Sequence, residues 1–232
     1  MLAANEIGLR LAGKLGPEGD PLVIVPLPRD LGPESESLTA QFDGSAVDLR
    51  LGTWFEVPRA SAFSHFDVVE AADQDELPRA RHSKTVFRPF GSTFFLPPRQ
   101  FVLASTLEWI RLPSDLAGTV TSKSAWGRRG LIIATASAVH PHFTGCLTLE
   151  LANVGEVTIA LRPGIRICQL SLHQLTSVSP QRPEPMAFVG HRRPVLAPIR
   201  LDEYARALTL RTGTLDTANA GTSVPSKLST PP

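Results

Sequence analysis

Lys123, Ser124 and Arg128 lie in the small-residue stretch Thr121-Ser-Lys-Ser-Ala-Trp-Gly-Arg-Arg-Gly-Leu131, which sets two cations and a hydroxyl in one turn. Such a turn suits phosphate, because charge-assisted donors and turn amides both favour anionic oxygens. About one strand-turn-strand later comes Thr148-Leu-Glu150-Leu, where Glu150 reads as the one acid inside an otherwise apolar strand run. A carboxylate there is costly unless it is hydrogen-bonded or needed for chemistry. General acid-base work beside a bound phosphate is the chemistry this spacing allows. The plainer readings are a solvent-facing Glu150 on an amphipathic strand, an exposed turn cation at Arg128, and a helix-capping Ser124. Arg129 reads as a surface or interface residue.

The elements that must position these groups are short strands. Leu22–Val25 reads as a strand closed by Pro26. Ser45–Leu51 alternates as a strand, punctuated by Gly52 and continued by Thr53–Val57. Residues 29–43 read as a polar loop, and 60–88 as a charged surface excursion. A train of strands follows at 94–96, 101–104, 109–110, 118–120, 131–133, 146–151, 157–161 and 165–172. Pro97-Pro98, Leu112-Pro113 and Arg162-Pro-Gly164 act as its turns. Helix is expected only over 3–14, as a single turn within Thr121–Gly127, and over 201–210 with Asp202 near its start. This spacing predicts a mainly β fold, a distorted barrel or double sheet, over residues 1–178. Residues 179–211 form a C-terminal extension, and the Thr-, Ser-, Ala- and Pro-rich residues 212–232 read as a disordered tail.

Composition narrows the classes. With 232 residues, 42% of them hydrophobic, the chain can bury one substantial core, or two small ones. The net charge of +1 gives no broad basic surface, so a nucleic-acid partner is not expected. No apolar run approaches the ~18 residues of a membrane span. The N-terminus lacks the pattern of a signal peptide, so a soluble cytoplasmic protein is expected. Cys146 and Cys168, the two cysteines, are too few for a disulfide framework and read as buried packing residues.

Several motifs in order carry a likeness to a known family. Gly44-Ser-Ala-Val-Asp48-Leu-Arg-Leu-Gly52, Phe95–Glu108, Leu112–Gly118, Lys123-Ser-Ala with Arg128 and Gly130-Leu131, Thr148-Leu-Glu150-Leu-Ala-Asn153 and Arg162-Pro-Gly-Ile-Arg-Ile-Cys-Gln169 together resemble dCTP deaminases of the dUTPase-like superfamily. The likeness covers roughly residues 1–175. It implies a dUTPase-like (β-clip) fold, a homotrimer with active sites near subunit boundaries, and zinc-independent deamination. By this resemblance Glu150 is the general base and acid for attack of water at C4 of cytosine. Ser124 and Arg128 orient Glu150 and the water, and Ala136 offers a backbone carbonyl. The resemblance also puts Lys123, the turn amides and Gln169 on the phosphates, with Mg²⁺ bridging the triphosphate. Ala125, Trp126, His140, Thr148 and Leu149 complete the implied substrate contacts. Zinc deaminases use a Pro-Cys-x-x-Cys pair, and these cysteines stand 22 positions apart.

The chain departs from the family pattern at three places. Ala125 replaces a phosphate-binding Ser, His140 replaces an Asp that faces the sugar, and no Tyr/Lys/Gln tail aligns, leaving Arg192, Arg193 and Tyr204 as stand-ins. His140 and His142, two apart on a strand, would share a side and could ligate a metal, but no third ligand is evident. Trp126 is open to stacking on a base or to a subunit contact. Asp48 reads as structural, satisfying backbone donors. The favoured reaction is dCTP to dUTP and ammonia. The alternatives are a dUTP diphosphohydrolase, alone or after deamination, an inactive nucleotide sensor, and a different modified-pyrimidine substrate.

Overall fold

Apolar-rich runs, alternating over part of their length, turn four segments into long antiparallel strands, and these carry everything else. In the computed structural model, residues 1–27, 42–59, 83–180, 190–196 and 201–209 are described. The chain opens with helix α1 (Ala4–Leu11), then β1 (Val23–Val25), β2 (Phe42–Asp43), β3 (Ala46–Pro58), β4 (Ser83–Phe87), β5 (Phe94–Leu96), β6 (Phe101–Arg111) and β7 (Leu116–Ser122). A single turn, α2 (Ser124–Gly127), leads into β8 (Leu131–Ile133), β9 (Ala138–Val139), β10 (Thr144–Asn153), β11 (Ile159–Leu161) and β12 (Arg166–Gln174). Residues 203–209 form a last helix, α3, whose first turn is capped by Asp202 Oδ1 accepting the Ala205 N–H at 2.7 Å. That helix falls in a separate compact unit from the sheet.

The main sheet runs β8-β10-β6-β3-β12-β7-β9, with β1 on β6 and β2 and β4 on β3; β11 and β5 form a separate pair. Residues 134–137 join β8 to β9, the two ends of that order, so the sheet must curl on itself. Inside the curl lie Val47, Leu49, Leu51 and Phe55 of β3, Val102, Ala104 and Ile110 of β6, Leu147, Leu149 and Leu151 of β10, and Ile167, Leu170 and Leu172 of β12. Each of the Val, Leu, Ile and Phe side chains among them contributes about 1.5–3 kcal/mol by leaving water. Ile7 of α1 is fully buried with them, and Phe55 stacks on Phe94 with centroids 4.3 Å apart.

Four expectations change. Gly52 is no punctuation: it lies within β3, where a Cβ would come 2.8 Å from the Ser105 carbonyl oxygen and 2.9 Å from that of Thr106. Its missing side chain lets β3 and β6 approach at the register shift between Leu51 and Phe55. Residues 101–104 and 109–110 are one strand, β6, and residues 83–87 of the expected surface excursion pair with β3 as β4. His140 and His142 sit in a turn, not on a strand. His142 has φ 65°, and its Nε2–H donates to the Ser179 carbonyl at 2.9 Å. Residues 29–41 of the expected loop, 60–82 of the excursion and the 212–232 tail lie outside the described residues.

Part of the C-terminal extension packs back on the sheet. The Gly190 N–H donates to the Thr144 carbonyl at 2.6 Å, the Cys146 N–H to the His191 carbonyl at 2.8 Å, and the Val195 N–H to Thr148 Oγ1 at 3.3 Å. The Arg192 guanidinium stands 5.1 Å over Trp109 and that of Arg193 3.9 Å over Trp54. Among the described residues no helix is long and apolar enough to cross a membrane.

Candidate active site

Glycine and tryptophan fix the turn that carries Ser124 and Arg128. The Lys123 carbonyl accepts the N–H groups of Trp126 (3.0 Å) and Gly127 (3.4 Å), and the Arg128 N–H donates to the Ser124 carbonyl at 3.0 Å. Ser124 and Arg128 are thus one helical turn apart and share a side. Trp126 packs half-buried against the chain's own core, and its Nε1–H donates to the Arg166 carbonyl on β12 at 2.8 Å. Gly130, at φ 85°, passes so close to Gly155 that a Cβ would fall 2.7 Å from the Gly155 nitrogen; its carbonyl accepts the Val154 N–H. That contact ties the turn to the end of β10. Ser124, Ala125 and Arg128 are exposed, and the Ser124 hydroxyl and Arg128 guanidinium have no partner among the described residues.

Glu150 owes its position to the alternation of β10. Leu147, Leu149 and Leu151 point into the core, so Thr148, Glu150 and Ala152 share the other face. Leu149 can therefore offer a ligand only its main chain. Glu150 pairs with Leu103 on β6, and Ala152 with Phe101 on β6 and Ile132 on β8. The Glu150 N–H donates to Thr135 Oγ1 at 3.1 Å, and its carbonyl accepts the Ala134 N–H at 2.9 Å. The backbone is held, while the half-buried carboxylate has no partner among the described residues. Phe101 and Ile132, each 41% exposed, give its row an apolar margin. Ala136 and His140 lie exposed beyond β8 and β9. No hydrogen bond or ion pair joins Glu150 to Ser124 or Arg128 within this chain, among the described residues. Two clefts of about 590 and 560 Å³ flank residues 191–196, and neither is lined by any of the three.

Lys123 and Gln169 are placed differently from the trio. Lys123 Nζ donates to Asp48 Oδ1 at 2.7 Å and Gln169 Nε2 to the same oxygen at 3.0 Å, while Arg166 Nη1 stands 3.6 Å from Oδ2. Asp48 is 3% exposed, so its role is to pair side-chain cations and not only backbone donors. A second buried acid, Glu108 at 0% exposure, accepts from the Arg50 N–H at 2.8 Å and from Arg50 Nη1 at 3.2 Å. Burial outweighs the pull of Arg50 and raises the Glu108 carboxyl to about 7. The sequence reading missed this role of Asp48, and it missed Arg50, Glu108 and Thr135. The signal for the acids was present, since Val47-Asp-Leu49 and Leu107-Glu-Trp109 set a carboxylate among apolar neighbours just as Leu149-Glu-Leu151 does. Burial also pushes the Cys146 thiol up to about 11 and the Cys168 thiol higher still, as suits packing residues.

The chain was compared with known proteins. Residues 31–175, more than half of it, match the model of the dCTP deaminase-like family. It is 41% identical over 138 residues to a dUMP-forming dCTP deaminase of Dictyoglomus turgidum, covering 59% of this chain and 68% of that one. To a dUMP-forming dCTP deaminase of Mycobacterium sp. (strain KMS) it is 44% identical over 149 residues, 64% of this chain and 74% of the relative. The product in those names is dUMP, where the sequence reading favoured dUTP. The fold is similar to that of the 2'-deoxycytidine 5'-triphosphate deaminase of Agrobacterium tumefaciens, with a TM-score of 0.51 at 20% identity. That match covers 75% of this chain and about half, 48%, of the other. By its sequence motifs, its curled sheet and these matches, the chain belongs to the dCTP deaminase-like family.

Proposed function

We propose that this chain is a hydrolase that takes dCTP, presented as its Mg²⁺ complex, to dUMP, pyrophosphate and ammonia. The observation that supports it most is the Glu150 carboxylate, half-buried, fixed through its backbone and without a partner among the described residues, on an outward face of the sheet. A group so placed can take a proton from water as the oxygen attacks C4 of cytosine, then return protons to the departing amino group. Such general acid-base help is typically worth ~10²–10⁴ in rate. Ser124 and Arg128 stabilise the tetrahedral centre, and a second water at the α-phosphorus releases pyrophosphate. The dUMP-forming relatives favour that second step.

The trio is completed between subunits of a homotrimer. In support, the side chains of Ser124, Arg128 and Glu150 have no partner in their own chain among the described residues, and the apolar Phe101 and Ile132 border Glu150. The reaction runs without zinc, in keeping with Cys146 on β10 and Cys168 on β12 being separated in the sheet by β6 and β3, and its place is the cytoplasmic nucleotide pool. Incubation with dCTP and Mg²⁺, following ammonia and pyrophosphate separately, tests the proposal. Equal release of both is expected. Ammonia alone would restrict the activity to dUTP formation, pyrophosphate alone would indicate a diphosphohydrolase, and tight binding with neither product would indicate a sensor.

A further inference from the structure

We infer that Asp48 is a positioning residue that holds Lys123 ready for the phosphates of the nucleotide; the inference rests on the reading above. Asp48 lies inside β3, 3% exposed, and three donors converge on its two oxygens, two of them cationic. Among the described residues one carboxylate faces Lys123 and Arg166, so these groups together carry an excess positive charge. Lys123 immediately precedes Ser124, and its side chain is 25% exposed, whereas that of Asp48 is 4% exposed. The ammonium therefore reaches from the core edge toward solvent. It carries three N–H donors, Asp48 takes one, and among the described residues the other two have no acceptor.

A lysine held this way has already lost the rotamer freedom of its four-carbon stem, so an anion that binds it does not bear that entropy cost. The backbone of Lys123 is tied to the same place, since its N–H points to the Ile167 carbonyl at 3.4 Å and its own carbonyl opens α2. Ala125 gives the turn no second hydroxyl, which leaves Lys123 a larger share of any phosphate contact. Asp48 is on the far side of Lys123 from solvent. It touches no reacting atom and acts through the ammonium.

The test uses the full chain as wild type, Asp48→Asn, Lys123→Met and the double variant. It combines steady-state ammonia release with calorimetric binding of Mg²⁺-dCTP and competition by deoxycytidine, which has no phosphate. Asp48→Asn should raise KM and Kd for Mg²⁺-dCTP about tenfold, leave kcat within about threefold, and leave deoxycytidine competition unchanged. It should add nothing further in the Lys123→Met background, because the two residues act as one unit. A lower Tm with KM unchanged, or an undiminished effect in the Lys123→Met background, would overturn the inference. If Asp48→Asn does not fold, Asp48→Glu replaces it: the charge is kept but displaced, so a raised KM that vanishes with Lys123→Met supports the inference and an unchanged KM overturns it. If wild type releases no ammonia, the proposed activity fails by itself, while the calorimetric comparison still decides the role of Asp48.

Discussion

Asp48 and Glu108, on β3 and β6, differ from Glu150 on β10 in one respect that governs what each can do. All three are carboxylates set among apolar strand residues. Asp48 and Glu108 are buried, at 3% and 0% exposure, and each is held by cations: Lys123 and Arg166 for one, Arg50 for the other. Glu150 points outward, half-buried, with its backbone bonded and its side chain unmatched among the described residues. Burial with partners makes an acid structural, because its protonation and geometry are both fixed by neighbours. Partial burial without partners leaves a carboxylate able to meet a substrate and pass a proton. The same sequence signal thus divides into anchors and a candidate working group according to whether burial and cationic partners hold the carboxylate.

The comparison breaks first at Glu150. Glu150→Gln keeps the shape and removes the base, so ammonia release from dCTP should fall by about 10³, within the span usual for general acid-base groups. Calorimetric affinity for the nucleotide should stay within a few-fold. Retained turnover would remove Glu150 from the chemistry and make it one more surface acid.

Glu108 gives the next largest effect, and of opposite kind. Its carboxyl titrates near 7 in the fold against 4.5 ordinarily, so between those values the folded chain keeps a proton that the unfolded chain has released. The favourable contribution is complete below about pH 4.5 and is lost as pH rises through 7. Over that window the stability of wild type relative to Glu108→Gln should fall by on the order of 3 kcal/mol. Urea unfolding of both proteins at several pH values measures the difference. A flat difference would mean that Arg50 keeps Glu108 ionised throughout.

Much of the fold was legible because alternation and turn chemistry are local. Val47, Leu49 and Leu51 repeat every second residue, and Arg162-Pro-Gly164 marks its turn regardless of what packs nearby. Gly52 was misread since its role is set by Ser105 and Thr106, more than 50 positions away, which no local pattern records. The site divides in the same way. The single turn that carries Ser124 and Arg128 was legible from its small residues, and the strand around Glu150 from its apolar neighbours. The partner of Lys123 was not, because Asp48 is 75 positions distant and reaches it only when β3, β12 and β7 lie side by side. His140 and His142 show the limit from the other side: a two-residue spacing means a shared face only on a strand, and φ 65° at His142 makes this a turn.

Arg128 sharpens the contrast between charge and geometry. The guanidinium is planar with donors in a fixed fork, whereas lysine offers a point charge. Arg128→Lys should therefore lower kcat about 30-fold, a loss of about 2 kcal/mol in transition-state stabilisation. KM should move far less, since the proposed phosphate contact is Lys123 and not Arg128. Full activity with lysine would reduce Arg128 to a general positive charge on the turn.

The smallest effect is expected at Arg193, which lies over Trp54 where residues 190–196 cross the sheet. The Val195 N–H ends that crossing on Thr148, two positions from Glu150 and on the same face, so the crossing borders the working acid without touching the anchoring ones. Exposed cation–π contacts are worth about 0.5–1 kcal/mol, so Arg193→Ala should raise the opening equilibrium of the segment about two- to fivefold. The Cys146 amide reports that opening, since its N–H is bonded to the His191 carbonyl, and its hydrogen exchange should accelerate by the same factor. Amides of Leu49 and Leu170, between β3 and β12, should not change, because the Asp48 corner does not depend on the crossing segment. Unchanged exchange at Cys146 would show that the backbone bonds of Gly190 and His191 hold the segment without the stack. Acceleration at both places would show that the two regions of the sheet open together, and the division between anchored and working acids would then be one of chemistry alone.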